Sequence, residues 1–170
     1  YLRNLVTKSA ANGGAFSVLF IDMDHFDRIR DTYGKQITDR AVLAISQECA
    51  DSFQKDGFIA RYQDGAFVVL LPDSGLKEAV RRADAFRKRI AATRYSVSDV
   101  QKGHDLSFTV SIGVAMYRQG ETVENLTKRV ARSLYIAIKD GRNKVVSEKT
   151  QYLLTLLRKT GVVPGLRRVD

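Results

Sequence analysis

The sequence lacks the features that mark several classes of protein. Its single cysteine, Cys49, leaves no internal disulfide bridge and no cysteine-based zinc site to build. It has no apolar run near the roughly 18 residues of a transmembrane helix, so we expect no direct insertion into a membrane. Internal repeats and low-complexity segments are also missing. The chain opens on Tyr1 without a starting methionine, and we expect it to be a piece of a longer protein.

The composition is that of an ordinary folded domain. Of the 170 residues, 44% are apolar and 28% are charged, which fits neither a disordered nor a membrane-spanning chain. A domain of this length buries roughly two-thirds of its unfolded surface, so it needs no disulfides to hold a core.

The chain is basic, with 28 lysines and arginines against 19 acidic residues and a formal net charge of +9. The basic residues are scattered along predicted helices, as Arg81 and Arg82 illustrate, and only the stretch from Arg158 to Arg168 is locally rich in them. No aromatic stacking platform accompanies that stretch. This pattern favours a solvated basic surface, and we expect no nucleic-acid partner.

The spacing of apolar residues predicts the secondary structure. Apolar runs and alternations predict strands over 16–21, 58–62, 66–71, 106–117 and 144–147. A three-to-four spacing predicts helices over 1–10, 40–53, 76–90 and 121–139. Asp64-Gly65, between the second and third strands, is a strong hairpin signal. We also expect Tyr62 and Phe67, on either side of this turn, to pack under the sheet.

After the leading helix the order is β-α-β-β-α-β-α-β, which predicts an α+β fold. This is a ferredoxin-like split βαβ core with one added helix–strand unit, in which helices flank a central, mainly antiparallel sheet. We expect residues 1–147 to form this domain. Residues 148–170 contain a leucine-rich stretch that ends before Pro164, and we expect them to form a helical extension or a connector to another domain.

Several sequence blocks carry a resemblance to a known family. They are Phe20-Ile-Asp-Met-Asp-His-Phe26, Asp31-Thr-Tyr-Gly34, Arg61-Tyr62, Thr109-Val-Ser-Ile-Gly-Val114 and Leu134-Tyr135 with Gly141-Arg-Asn143. In this order they resemble the GGDEF family of diguanylate cyclases, which join two GTP molecules into cyclic di-GMP. The resemblance covers about residues 1–147 and implies a palm-type fold like that of polymerases and adenylyl cyclases.

The resemblance implies a site for two divalent cations, held between a carboxylate at the end of the first strand and carboxylates on the hairpin. Asp22 matches the first-strand ligand, and Asp24 follows it. The hairpin of active members reads Gly-Gly-Asp/Glu-Glu-Phe, whereas this chain has Gln63-Asp64-Gly65-Ala66-Phe67. Both acidic positions are therefore lost, and the signature is degenerate.

Three acidic residues remain as candidates for weak metal binding. Asp64 precedes the lost carboxylate by one residue, and adjacent side chains of a strand point to opposite faces, so we expect it to be poorly placed. Asp22 and Asp64 are the possible metal ligands. Asp24 either contributes to the same site or caps the following helix. We expect His25 to be structural and Cys49 to be an inert core thiol.

The nucleotide contacts that the resemblance implies are also eroded. Arg30 stands where the family has an asparagine that binds guanine, and Asp27 stands where it has a phosphate-binding lysine. The last helix has Ile138 in place of another lysine. Asp39 and Arg142 match the family and are expected to be vestigial nucleotide contacts.

The family's inhibitory product site, Arg-x-x-Asp, would span Gln54 to Gly57 and is absent. The degenerate signature predicts a catalytically inactive GGDEF domain with no catalytic residues, acting as a regulatory or protein-interaction module in bacterial cyclic di-GMP signalling. No cofactor is expected, and Mg²⁺ and GTP would bind only if residual binding survives.

Partners implied by the resemblance are sensory or EAL-type domains of the same chain, another signalling protein, or a second copy in a homodimer. The family and the unpaired cysteine predict a cytoplasmic setting. Two alternatives stay open. One is a GTP-binding allosteric domain without turnover, which would use Asp22, Asp39, Asp64 and Arg142. The other is an active diguanylate cyclase in which Asp64 replaces the missing acid.

Overall fold

The computed structural model describes residues 1–96 and 105–149. The helices are α1 (Leu2–Asn12), α2 (Phe26–Phe53), α3 (Leu76–Ala92) and α4 (Val123–Lys139). The strands are β1 (Phe16–Met23), β2 (Phe58–Gln63), β3 (Ala66–Pro72), β4 (Tyr95–Ser96), β5 (Asp105–Leu106), β6 (Val110–Met116) and β7 (Val145–Ser147).

Within the described residues, five strands form the central sheet in the order β2-β3-β1-β6-β7. Every neighbouring pair is antiparallel except β6 and β7, which are parallel because α4 connects them as a crossover. Strands β4 and β5 form a separate two-stranded sheet. The predicted α+β fold with a mainly antiparallel sheet flanked by helices is confirmed.

The two faces of the sheet carry separate apolar clusters. On one face, Leu19 and Ile21 of β1 pack with residues of α2 and α3, including Ile45 and Phe86. On the other face, residues of β1 and β3 pack against α4 and α1; they include Phe16, Val18, Leu70, Leu126 and Leu5. Because both faces of β1 are covered, its sequence is a continuous apolar run rather than an alternating one.

Gly113 on β6 allows α4 to lie directly on the sheet. A Cβ atom at this position would lie 2.4 Å from the Leu134 backbone nitrogen and 2.5 Å from the Val130 carbonyl oxygen. Any side chain would therefore push the helix away. The close packing fixes the middle of α4 against the sheet.

The helix predicted over 40–53 covers only half of the length of α2. The α2 helix begins at Phe26 rather than at residue 40, and Gly34 (φ 77°) marks a kink inside it. Only Ile29 is buried in the first part, before the kink, so that part shows no apolar periodicity in the sequence. The kink then turns the chain into the amphipathic part that the pattern does predict.

The single strand predicted over 106–117 is also wrong, because residues 107–109 separate β5 from β6. The Asp24 backbone N–H donates to the Thr109 carbonyl oxygen at 2.9 Å, and the Tyr95 ring stacks on Phe108 with ring centroids 4.7 Å apart. These contacts bind the segment to other parts of the fold and interrupt the strand.

The predicted hairpin and the remaining helices are confirmed, with no end shifted by more than two residues. The leucine-rich stretch of the predicted C-terminal extension lies outside the described residues. Within 1–96 and 105–149, none of the helices is long and apolar enough to cross a membrane.

Candidate functional site

A cavity of about 740 Å³ opens where β1 ends, between the start of α2, the β2–β3 turn and the end of α4. Both signs of charge line it: the acidic residues are Asp22, Asp27 and Asp64, and the basic residues are Arg28, Arg30 and Arg142. The structure therefore brings together most of the residues that the sequence singles out, and Arg28 joins them although no motif points to it.

Asp22 lies in β1, one residue before the strand ends, and its side chain is half-buried. Its cross-strand neighbours are Ala66 on β3 and Ser111 on β6. Burial raises the pKa of this carboxyl group to about 6, and the negative charges of Asp24 and Asp27 add to the effect while Arg142 opposes it. Asp22 is thus a carboxyl group that gives up its proton only close to neutral pH.

Asp24 is buried, and its carboxylate oxygens accept hydrogen bonds from other residues of the protein. They accept hydrogen bonds from Thr109 Oγ1 at 2.6 Å, Ser111 Oγ at 2.7 Å and the Asn143 backbone N–H at 3.0 Å. Asp24 therefore joins β1 to the start of β6 and to the loop before β7. It does not cap α2, whose N-cap residue is His25 in the left-handed conformation (φ 59°).

The turn between β2 and β3 consists of Asp64 and Gly65, because Gln63 pairs with Ala66. Gly65 has φ +73°, and a Cβ atom there would lie 2.6 Å from Cδ2 of Phe26. The Phe26 ring thus packs against the turn and occupies the space that a side chain at residue 65 would need. The sequence contains no signal for this contact, because the two residues are far apart in the chain.

Asp64 lines the same cavity as Asp22, so the expectation that it would face away is wrong. Residue 64 belongs to the turn, where the alternation of strand side chains does not apply. Its Oδ1 accepts a hydrogen bond from Arg61 Nη2 at 3.0 Å, and its side chain is largely exposed.

The prediction for the residues that flank this turn holds for only one of them. Phe67 is buried, as expected. Tyr62 is 66% exposed, because the strand register shifts between Arg61 and Gln63 and turns the ring outward.

The two altered nucleotide positions on α2 interact with each other. Arg30 Nη2 donates to Asp27 Oδ1 at 2.7 Å, and the Arg30 guanidinium carbon lies 5.8 Å from the centroid of the Phe26 ring. Both side chains are well exposed, so this pair contributes little to stability. It does place a cation where the family has an amide.

The remaining predicted contacts divide into two groups. Arg142, in the left-handed conformation with φ 61°, and Ile138 line the cavity. Asp39 is exposed on the part of α2 after the kink and is not among the residues that line the cavity. Lys139, next to Ile138, lies over the Tyr135 ring at 5.7 Å from its centroid.

At the position of the family's product site, Asp56 forms a two-pronged ion pair with Arg82 of α3. The two carboxylate oxygens accept from Nη1 and Nη2 at 2.7 Å each. This hydrogen bonding lowers the pKa of Asp56. The sequence offers no hint of the pair, since Arg82 is one of many arginines on that helix.

The residues around the cavity do not fit a pair of divalent cations. Across the described ranges, His, Cys, Asp and Glu form no cluster of three or more that could hold a metal ion. Mg²⁺ requires near-octahedral oxygen coordination and usually takes one or two carboxylates per ion. Asp24 already accepts three hydrogen bonds and does not line the cavity, which leaves Asp22 and Asp64 as the acidic groups that face the cavity from the sheet and the turn.

The family profile described as "Diguanylate cyclase, GGDEF domain" matches residues 1–144. The chain belongs to the GGDEF family. Its relatives include the response regulator PleD of Caulobacter vibrioides, which is 34% identical over 148 residues (86% of this chain and 32% of PleD). Diguanylate cyclase DgcM of Escherichia coli is 36% identical over 132 residues (78% of this chain and 30% of DgcM).

Diguanylate cyclase DosC of Escherichia coli is 32% identical over 133 residues (78% of this chain and 28% of DosC). The chain thus spans about a third of the length of these curated relatives or less. Among solved structures, diguanylate cyclase SiaD from Pseudomonas aeruginosa, in complex with its activator SiaC, is similar with a TM-score of 0.78 and 27% identity (86% of this chain and 55% of SiaD).

The GGDEF domain of DgcB from Caulobacter crescentus, in complex with c-di-GMP, has a TM-score of 0.82 at 22% identity and shares the fold (87% of this chain and 86% of that chain). The predicted family and fold are confirmed by these comparisons. The chain is a GGDEF domain of the cyclic di-GMP signalling type.

Proposed function

We propose that this GGDEF domain does not synthesise cyclic di-GMP and acts as a regulatory or protein-interaction module. The observation that carries the proposal is the pairing of Asp22 with Ala66. The directly opposed side chains of an antiparallel pair lie about 5 Å apart, close enough for two carboxylates to bind cations together. With alanine at residue 66, the sheet contributes one carboxylate where the family's chemistry calls for two.

The environment of Asp22 weakens the remaining ligand. Its pKa of about 6 means that a proton competes with a cation for this carboxyl group once the pH falls toward 6. At an effective dielectric constant near 20, the loss of one carboxylate from a cation site removes about 4 kcal/mol of electrostatic attraction at close range. This chain lacks two of the family's carboxylates. Phosphoryl transfer that depends on the bound cations would then slow by several powers of ten.

The experiment is incubation of the protein with GTP and Mg²⁺, and separately with Mn²⁺, followed by chromatography for cyclic di-GMP. We expect no product above the level of an Asp22→Ala variant, which controls for contaminating cyclase. Product that exceeds this background and disappears in an Asp64→Ala variant would contradict the proposal. That result would show that Asp64 replaces the missing acid.

A second candidate function, binding of GTP without turnover, is favoured by the charge of the cavity. Arg28, Arg30 and Arg142 line one open space large enough for a nucleotide. Calorimetric titration with GTP and with cyclic di-GMP separates this function from a module that binds only proteins. Heat that saturates at one GTP per chain, without product, would favour the nucleotide-binding module.

The partners belong to the same proposal. SiaD has been solved with its activator, and a DgcB structure contains a coiled coil beside the GGDEF domain. We place the domain at residues 1–147 and an extension or connector at 148–170. Its partners would be a sensory or EAL-type domain of the same chain, another signalling protein or a second copy, in the cytoplasm.

A further inference from the structure

The loop between α4 and β7 has a left-handed backbone at three consecutive residues. Gly141, Arg142 and Asn143 have φ values of 99°, 61° and 44°. Gly141 ends the helix in the usual way, since the next N–H, that of Arg142, donates to the Ala137 carbonyl oxygen at 3.0 Å. One left-handed residue suffices for such an end. The two that follow are not glycine, and this conformation costs free energy at an arginine.

The same loop turns Arg142 toward the candidate cavity. The residue is half-buried and lines the cavity together with Arg28. Its charge also acts on Asp22, where it opposes the rise of the carboxyl pKa. Left-handed residues other than glycine persist only where the surrounding structure holds them, and they concentrate at binding sites. Other parts of the fold must therefore hold the loop in this conformation.

Two elements hold the loop through Asn143, the residue next to Arg142. The Asn143 N–H donates to Asp24 Oδ2 at the end of β1, at 3.0 Å. From α3, Arg87 Nη1 donates to the Asn143 side-chain oxygen Oδ1 at 2.8 Å and to its carbonyl oxygen at 3.3 Å. The backbone donor and both oxygens of Asn143 are thus engaged, so the residue has little freedom to rotate.

The Arg87 guanidinium is itself fixed in place. Its side chain is only 16% exposed, and its Nε donates to Asp84 Oδ1 at 2.9 Å. Hydrogen bonds from Lys88 and Arg87 lower the pKa of Asp84, so this carboxylate stays charged at neutral pH. A guanidinium that donates to a carboxylate on one side has a defined orientation for its remaining N–H groups. Arg87 therefore presents Nη1 to the loop as a rigid donor.

We infer that Arg87 is a positioning residue for anion binding: through Asn143 it holds the loop in the conformation that directs Arg142 at a phosphate-bearing ligand. The inference rests on the second candidate function, binding of GTP without turnover. Arg87 is not among the described residues that line the cavity, so its effect on a ligand passes through the loop. A guanidinium binds phosphate oxygens directly and needs no bridging metal ion, which suits a cavity that lacks the family's carboxylates.

The first test is calorimetric titration with inorganic triphosphate, in a buffer with EDTA so that no metal ion takes part. Arg87→Met is expected to weaken binding about tenfold, the usual size of a lost hydrogen-bonded contact to a charged group. Arg81→Met is the matched control. It removes the same charge and an equivalent ion pair on α3, since Arg81 Nε donates to Glu78 Oε2 at 2.8 Å, and its affinity should stay within about twofold of the wild type. Equal losses in the two variants would overturn the inference.

A double-mutant cycle tests whether Arg87 acts through Arg142. Arg142→Met removes the cation that touches the ligand, and Arg87→Met is then added to this variant. If Arg87 only directs Arg142, the second substitution has nothing left to disturb and the affinity for triphosphate stays the same. A further tenfold loss would overturn the inference, because it would show that Arg87 acts on the ligand independently.

Amide hydrogen exchange measured by NMR gives a readout that needs no ligand. Arg87→Met should speed the exchange of the Asn143 amide at least about tenfold, whereas Arg81→Met should leave it unchanged. Thermal melts of both variants show whether the effect is local. Unchanged exchange at Asn143 would overturn the inference whether or not triphosphate binds. A wild type that binds neither triphosphate nor GTP would contradict the nucleotide-binding function instead, while faster exchange would still support the hold of Arg87 on the loop.

Discussion

Asp22 on β1 lies directly opposite Ala66 on β3, at the edge of a cavity that the hairpin turn and the ends of α2 and α4 enclose. The pairing puts a methyl group where a second carboxylate would complete a cation site. The charges that remain around Asp22 are mixed in sign, and the other buried acid, Asp24, is committed to hydrogen bonds within the fold. This arrangement favours a domain that keeps the GGDEF fold without its chemistry.

Restoring the signature by Gln63→Gly, Asp64→Gly, Gly65→Asp and Ala66→Glu is expected to give no measurable cyclic di-GMP. The Arg30–Asp27 pair would still occupy the nucleotide side of the cavity. Chromatography after incubation with GTP and Mn²⁺ is the measurement, and a thermal melt by circular dichroism shows whether the variant folds. Substantial product would show that the hairpin alone had silenced the domain.

Gly65→Ala is expected to destabilise the domain more than Gly120→Ala. Both glycines have a left-handed φ, +73° and +78°, so both substitutions carry a strain of about 1–2 kcal/mol. A Cβ atom at residue 120 meets nothing within 4 Å, whereas one at residue 65 lies 2.6 Å from Phe26. Overpacking should add about 1–3 kcal/mol to the loss at residue 65.

Urea denaturation of the two glycine variants measures this difference. A Gly65→Ala variant no less stable than Gly120→Ala would mean that the Phe26 ring moves aside freely. The turn would then accept an acidic residue without cost to the fold.

The ionisation of Asp22 is expected to lower stability as the pH rises. Its pKa is about 6 in the folded chain and 3.8 in the unfolded chain, so the folded state holds the proton more tightly. Stability that is present below pH 4 is therefore lost progressively up to pH 6 and slightly beyond. Asp22→Asn removes this loss, because the amide does not ionise.

Urea denaturation of the wild type and Asp22→Asn at several pH values tests the ionisation directly. The variant should match the wild type near pH 4 and exceed it at pH 7 to 8. A gap that stays constant with pH, or that closes as the pH rises, would be incompatible with a raised pKa at Asp22.

Asp24→Ala is expected to cost about 3 kcal/mol of unfolding free energy. It leaves the Thr109 and Ser111 hydroxyls and the Asn143 N–H without their common acceptor in a buried region. Asp64→Ala is the matched control, since its pair with Arg61 is exposed and should contribute under about 1 kcal/mol. Similar losses in the two variants would rule out the linking role of Asp24.

Arg129→Met is expected to cost about 3 kcal/mol, because Glu121 and Glu148 would remain partly buried without this cation. Lys128→Met removes the neighbouring, well-exposed pair with Glu124 and should cost under about 0.5 kcal/mol. The comparison, again by urea denaturation, measures how firmly Glu148, which follows β7, is attached to α4. Equal effects would mean that the network adds no stability.

The sequence predicts the elements whose apolar pattern is complete. The strand from Phe16, the hairpin at Asp64-Gly65 and the amphipathic α3 all follow from short-range spacing. The sequence does not predict an element whose ends depend on packing between residues far apart in the chain. The first part of α2 has one buried residue, and the break before β6 depends on the contact between Asp24 and Thr109.

The candidate site also has features that the sequence predicts and features that it does not. Comparison with the family's motifs identifies Asp22 and Arg142 and singles out Asp64 next to the lost carboxylate. The structure brings all three to one cavity. The sequence does not predict the environment of these residues. The raised pKa of Asp22 and the contact between Phe26 and Gly65 both arise from residues that only the fold brings together. Asp39 matches the motif yet lies outside the group that lines the cavity, on the part of α2 that follows the kink at Gly34.

The most direct measurement is anomalous scattering from crystals of the protein soaked with GTP and Mn²⁺. The account predicts that no pair of manganese ions binds between Asp22 and the hairpin turn, whether or not the nucleotide occupies the cavity. Two ions at that position, with Asp64 as a ligand, would contradict it.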